Sequence, residues 1–71
     1  MYFNYVESDN SKEFPKGSIW KMDVINRIDY VFVTGVYENT GVISFYVLND
    51  RPEISRACSL TTARVMWQRV S

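Results

Sequence analysis

The chain has no histidine, one cysteine, three glycines and two prolines in 71 residues, and its eight basic and eight acidic residues cancel to a formal net charge of zero. Each shortage closes off a class of activity. Without histidine, a Ser-His-Asp or Cys-His arrangement cannot form within one chain. The single Cys58 makes no intrachain disulfide, and without histidine it cannot complete a zinc site of the usual Cys/His kind. Three glycines set far apart do not form a phosphate-cradling loop. A nucleic-acid binder normally carries a basic excess, because phosphate neutralisation supplies much of its affinity, and a nucleic-acid mimic carries an acidic one; zero net charge fits neither. No run approaches the ~20 apolar residues of a membrane span, so no membrane partner is expected. The opening MYFNYVESDN has no charged region followed by an apolar core, so no signal peptide is expected. One unpaired thiol suits a reducing cytoplasm. These exclusions predict a protein with no catalytic residues, no cofactor and no metal.

Aromatic side chains are plentiful: five Tyr, four Phe and two Trp. They matter because a domain this small buries only about 60% of the surface its unfolded chain exposes. Small domains compensate with staples, dense packing or self-association. Staples are missing here, and each buried ring removes about 150–250 Å² from water. A single domain spanning 1–71 is expected, held by aromatic packing or by a second copy.

Along the chain, Tyr2–Val6 has strand character, and the polar stretch 7–13 (ESDNSKE) reads as a flexible loop. Phe14-Pro15-Lys16-Gly17 reads as a turn. Trp20, Met22 and Val24 then alternate with Lys21 and Asp23, the period of a strand with one buried face. Asn26-Arg27 makes a tight connection into a long hairpin, IDYVFVTGVYENTGVISFYVL, residues 28–48. With a three-residue loop closing at a left-handed Gly41, Tyr37 faces Ile43, Gly35 faces Phe45 and Val33 faces Val47. That register turns Val31, Val33, Gly35, Tyr37, Ile43, Phe45 and Val47 inward. It leaves Tyr30, Phe32, Thr34, Val36, Ser44, Tyr46 and Leu48 on the other face. A four-residue loop would pair Tyr37 with Val42 instead. Asn49–Glu53 is a second turn, since Pro52 cannot sit in a central strand. Ile54–Cys58 reads as a short strand. In the tail, Ser59 is a good N-cap and Leu60, Ala63 and Trp67 share a helical face, while Val65, Trp67 and Val70 favour a strand. One helical turn at about 60–64 followed by a strand at about 65–70 is expected, with a full helix to Gln68 as the rival.

The resulting fold class is mainly β: a meander of strands with one short helical turn near the C-terminus. This element order, from KGSIW at 16–20 through the meander to the last strand, resembles the SH3-like small barrel, in particular small proteins of phages and plasmids. The resemblance implies a strongly bent antiparallel sheet that folds over itself. It carries no site residue with it.

The candidate functional residues come from the surplus of aromatic and arginine side chains. Tyr30, Phe32, Tyr46 and Leu48 crowd the second face of the hairpin. Arg51, Arg56, Arg64 and Arg69 stand against Glu53 alone in the last 21 residues, while the first fifty hold four basic and seven acidic residues. Tyr, Trp and Arg are the residues that carry interface energy, so Tyr30, Phe32, Tyr46, Leu48, Trp67, Arg51 and Arg69 are expected to bind a protein partner, a host protein or a second copy of the chain. The same rings could stack bases beside the arginines, which makes a single-stranded nucleic-acid-binding barrel the alternative. Otherwise they form a second packing layer under the chain's own termini. Cys58 reads either as a small buried apolar residue or as a thiol activated by Arg56 and a helix N-terminus. Asp23, Asp29, Asp50 and Glu53 flank turns, where carboxylates commonly serve the backbone.

Overall fold

In a computed structural model, residues 12–71 are described. The expected strand at Tyr2–Val6 and most of the loop at 7–13 lie outside them. The elements are β1 (Ile19–Val24), β2 (Arg27–Tyr37), β3 (Val42–Val47), β4 (Arg56–Ser59), α1 (Leu60–Met66) and β5 (Trp67–Arg69). They form one antiparallel sheet in the order β4-β3-β2-β1-β5, so the last strand returns to pair with the first. The expectation of a mainly β domain with a short C-terminal helix holds. β4 and β5 form the two edges and are not paired with each other.

Local chemistry places these elements. Gly17 takes a φ of 87°, and Ser18 closes the turn by donating its N–H and its hydroxyl to Pro15 O, at 3.0 and 2.6 Å. β1 and β2 join through Ile25-Asn26, with Asn26 at a φ of 68°, a conformation asparagine tolerates better than most residues. Asn26 is therefore a loop residue and Arg27 begins β2. Ser59 caps α1 as expected, accepting the N–H of Thr62 at 3.1 Å. Leu60 N–H donates to Gly41 O at 2.8 Å, which pins the start of α1 to the β2–β3 turn. The helix then ends at Met66, and Trp67 enters β5 opposite Met22.

The hairpin register differs from the expected one. The loop is the four-residue Glu38–Gly41, closed by Thr40 N–H to Tyr37 O and Gly41 N–H to Glu38 O, with Gly41 at a φ of 70°. Tyr37 therefore pairs with Val42 and Val36 with Ile43. A bulge at Thr34 then shifts the ladder again, so that Gly35 faces Ser44 while Val33 faces Phe45. Near the turn the parity is reversed: Val36 is inward and 2% exposed, and Tyr37 is only half-buried. Beyond the bulge the parity is restored, and Val31, Val33, Phe45 and Val47 are buried as expected. Gly35 therefore does not face Phe45, as the expected register would have it. The bulge is held by hydroxyls: Thr34 Oγ1 lies 2.8 Å from Ser44 Oγ, which also approaches Gly35 O at 3.3 Å.

The core lies on the inward side of the sheet, against α1. It comprises the valines of β2, Ile43, Phe45 and Val47 of β3, and Leu60 and Ala63 of the helix, with Phe14 and Trp67 completing it. Phe14 packs on Trp20 at 4.7 Å with the rings tilted by 48° and meets Trp67 edge-on at 5.7 Å; Trp67 meets Phe45 edge-on at 5.0 Å. Phe14 is 1% exposed, a core residue that the turn-forming Phe-Pro-Lys-Gly context concealed. Truncating one such ring in a packed core costs about 3–5 kcal/mol, so these four aromatics supply the stapling that the cysteine count denies.

Candidate protein-binding face

The outward side of the sheet follows from strand parity. β1 contributes Ile19, Lys21 and Asp23, β2 contributes Ile28, Tyr30 and Phe32, and β3 contributes Tyr46, with Leu48 next to it. Cross-strand pairing arranges them in rows. Phe32 lies between Ile19 and Tyr46, and Tyr30 lies beside Lys21. Leu48 joins the Tyr30 row by donating its N–H to Tyr30 O at 2.7 Å. Ile28 lies beside Asp23. Val70 extends the first row past Ile19, to whose carbonyl it donates at 2.8 Å. The face thus presents apolar side chains across β1–β3, with Val70 just past the end of β5. Tyr30, Leu48 and Ile28 are 41, 44 and 43% exposed, a high figure for large apolar residues set side by side.

Four of the seven expected binding residues come together here: Tyr30, Phe32, Tyr46 and Leu48. The other three do not. Trp67 points to the opposite side and is 5% exposed, a core residue of the aromatic cluster. Its indole N–H is buried without a hydrogen-bond partner among the described residues. Arg69 sits opposite Trp20, on the inward side at the β5 edge. Arg51 lies in the exposed loop before β4, at a φ of 49°. Free arginines at opposite ends of the strand order do not make one basic strip beside the tyrosines. Ile19, Ile28 and Val70 belong to the face and were not singled out. For Ile28 the period-two spacing to Tyr30 and Phe32 was the available signal.

The remaining arginines are occupied. Arg64 Nε pairs with Glu13 at 2.9 Å. Arg27 Nη2 donates to Asp50 Oδ2 at 3.2 Å, and Arg56 Nη2 donates to Asp50 O at 2.9 Å. Arg27 also neutralises Asp29, which is 1% exposed. Its Nε lies 3.1 Å from Oδ1 but off the line of a hydrogen bond, so charge rather than alignment holds that oxygen; Oδ2 accepts from Nη2 at 3.4 Å. Asp29 is therefore a buried ion-pair partner, not a turn carboxylate serving the backbone. Burial pushes the Cys58 thiol above the ordinary thiol range, the reverse of the activation that Arg56 and a helix N-terminus would give. Its Sγ approaches Ser59 O at 3.5 Å, and its ladder partner is Ile43 of the core.

Chemically, the outward face can offer stacking and apolar contact bracketed by one lysine and one aspartate. Among the described residues no group of three or more Cys, Asp or Glu side chains is placed to hold a metal ion, and no helix is long and apolar enough to cross a membrane. Comparison of the chain with family models, with curated proteins and with solved structures yields no match.

Proposed function

We propose that the protein acts by binding another protein through the outward face of β1–β3, without catalysing a reaction. The observation that carries this reading is the lateral apolar surface centred on Tyr30, whose large side chains stand well exposed across paired strands. Such surfaces on small domains mark interaction sites, and tyrosine contributes large contact area at low entropic cost. The strand order, with a short helix before the final strand, supports reading the sheet as a small SH3-like barrel. In this reading the chain is an accessory protein of the kind phages and other mobile elements carry. It works in the cytoplasm, modulating a larger host protein or assembling with itself. The nucleic-acid alternative draws less support, because Arg27, Arg56 and Arg64 are tied to carboxylates and Arg69 faces the other way.

The test compares the wild type with a Tyr30→Lys, Leu48→Lys double variant. Both are used as bait in host extract and measured for self-association, with circular dichroism confirming the fold. Binding that the double variant loses supports the reading. Binding that both proteins retain equally would exclude this face.

A further inference from the structure

Resting on that docking reading, we propose that the occupant of the outward face is a second copy of this chain, packed face to face about a two-fold axis. The axis lies between the two sheets and parallel to them, runs across the strands, and passes between the rows of Lys21 and Asp23.

The rows of the face carry the argument. Lys21 and Asp23 are the only charged residues at outward strand positions among the described residues, and they have opposite signs on successive rows of one strand. Neither forms an ion pair among the described residues. Beside Lys21 stands Tyr30; beside Asp23 stands Ile28. One row further, past the end of β1, Ile25 sits at the hairpin tip and is 88% exposed, the most exposed large apolar residue described. One row back stands Phe32.

A two-fold interface is isologous, so each contact occurs twice with the roles exchanged. The axis described sets Lys21 of one copy over Asp23 of the other, Tyr30 over Ile28, and Ile25 over the row of Phe32. Tyr30 and Ile28 thereby find apolar partners, and each of the two charges finds its opposite. An axis running along β1 would instead oppose Lys21 to Lys21 and Asp23 to Asp23, bringing like charges together. Face-to-face packing of two sheets is an ordinary way to bury such surfaces, and a chain of 71 residues gains from the added burial.

Sedimentation equilibrium of the full chain over a wide concentration range tests this, with Lys21→Asp and Asp23→Lys as separate variants. Asp23 is exposed and Lys21 half-buried, and circular dichroism checks that the fold is kept. The wild type is expected to dimerise. Each single variant brings like charges together twice and is expected to weaken the dimer by about 100-fold or more. An equimolar mixture of the two variants is expected to regain dimer mass, because a doubly acidic face then meets a doubly basic one. A wild type that stays monomeric, or single variants that associate as well as the wild type, would overturn the proposal. A monomer that still captures another protein through Tyr30 and Leu48 removes the second copy but leaves the docking reading standing. A dimer indifferent to the charge reversals removes this interface, and capture of another protein that the Tyr30→Lys, Leu48→Lys variant retains equally removes the docking reading as well.

Discussion

Asn49 takes the place of a strand residue beside Tyr30. Its Oδ1 accepts the Tyr30 N–H and its Nδ2 donates to Ile28 O, both at 2.9 Å, so one side-chain amide continues the β3 ladder past the end of the strand. This continues the pairing of β2 where its outward residues Ile28 and Tyr30 are exposed. Asn49→Ala removes both bonds and should destabilise the domain by about 1–2 kcal/mol, while Asn49→Asp keeps the acceptor and should cost less. Urea denaturation midpoints at constant m-value measure the difference. Equal losses for the two variants would mean that the amide does not bridge the backbone in this way.

The bulge at Thr34 makes a prediction that the simple alternating register would not. Val36 is inward and buried, so Val36→Asp places a charge in the core and should cost more than about 3 kcal/mol or prevent folding. Val65→Asp on the exposed side of α1 should stay within about 0.5 kcal/mol of the wild type. Comparable tolerance at both positions in a denaturation series would contradict the bulged ladder.

What the sequence made legible here divides by the range of the signal. Short-range signals read correctly: the alternation of Trp20 and Met22 with Lys21 and Asp23, the capping hydroxyl of Ser59, and the left-handed Gly41. The face itself was legible wherever the period of two ran unbroken, which brought Tyr30, Phe32, Tyr46 and Leu48 to one side. The bulge was hidden, because inserting Thr34 depends on a hydroxyl contact with Ser44 across the hairpin. Trp67 and Phe14 were hidden for a related reason. Their burial comes from each other and from Phe45, residues distant in sequence, and a lone tryptophan between arginines looks the same whether it faces a partner or a core.

Arg27 and Asp29 form an asymmetric pair: the arginine is about half exposed and the aspartate is buried. Arg27→Ala leaves an uncompensated carboxylate inside the protein and should cost about 3 kcal/mol. Asp29→Ala frees an arginine that still reaches Asp50 and water, and should cost less. The double variant should be more stable than Arg27→Ala alone, a sign that a double-mutant cycle of urea midpoints reads directly. A double variant less stable than Arg27→Ala would show that Asp29 is stabilising without its partner.

Cys58 supplies the pH dependence. Burial raises its thiol, so the folded chain holds this proton to higher pH than the unfolded chain does. The group's contribution is fully present below the ordinary thiol range. It is lost as the pH rises through and beyond that range, where the unfolded chain has already released its proton. Alkylation by iodoacetamide should accordingly show a higher pH midpoint in the native protein than in urea. The alkaline fall in stability should be smaller in Cys58→Ala. A native midpoint at or below that of the unfolded chain would restore the activated-thiol reading.

The central claim, that the outward face is covered by protein, is tested most directly by hydroxyl-radical footprinting of the chain. Dilute pure protein is compared with concentrated protein and with protein in host extract. The account predicts that oxidation of Tyr30 and Leu48 falls in at least one of the latter two conditions. Val65 and Met66, exposed on α1 at the inward side, should react as before. Unchanged oxidation of Tyr30 and Leu48 in all three conditions, or protection confined to Val65 and Met66, would contradict it.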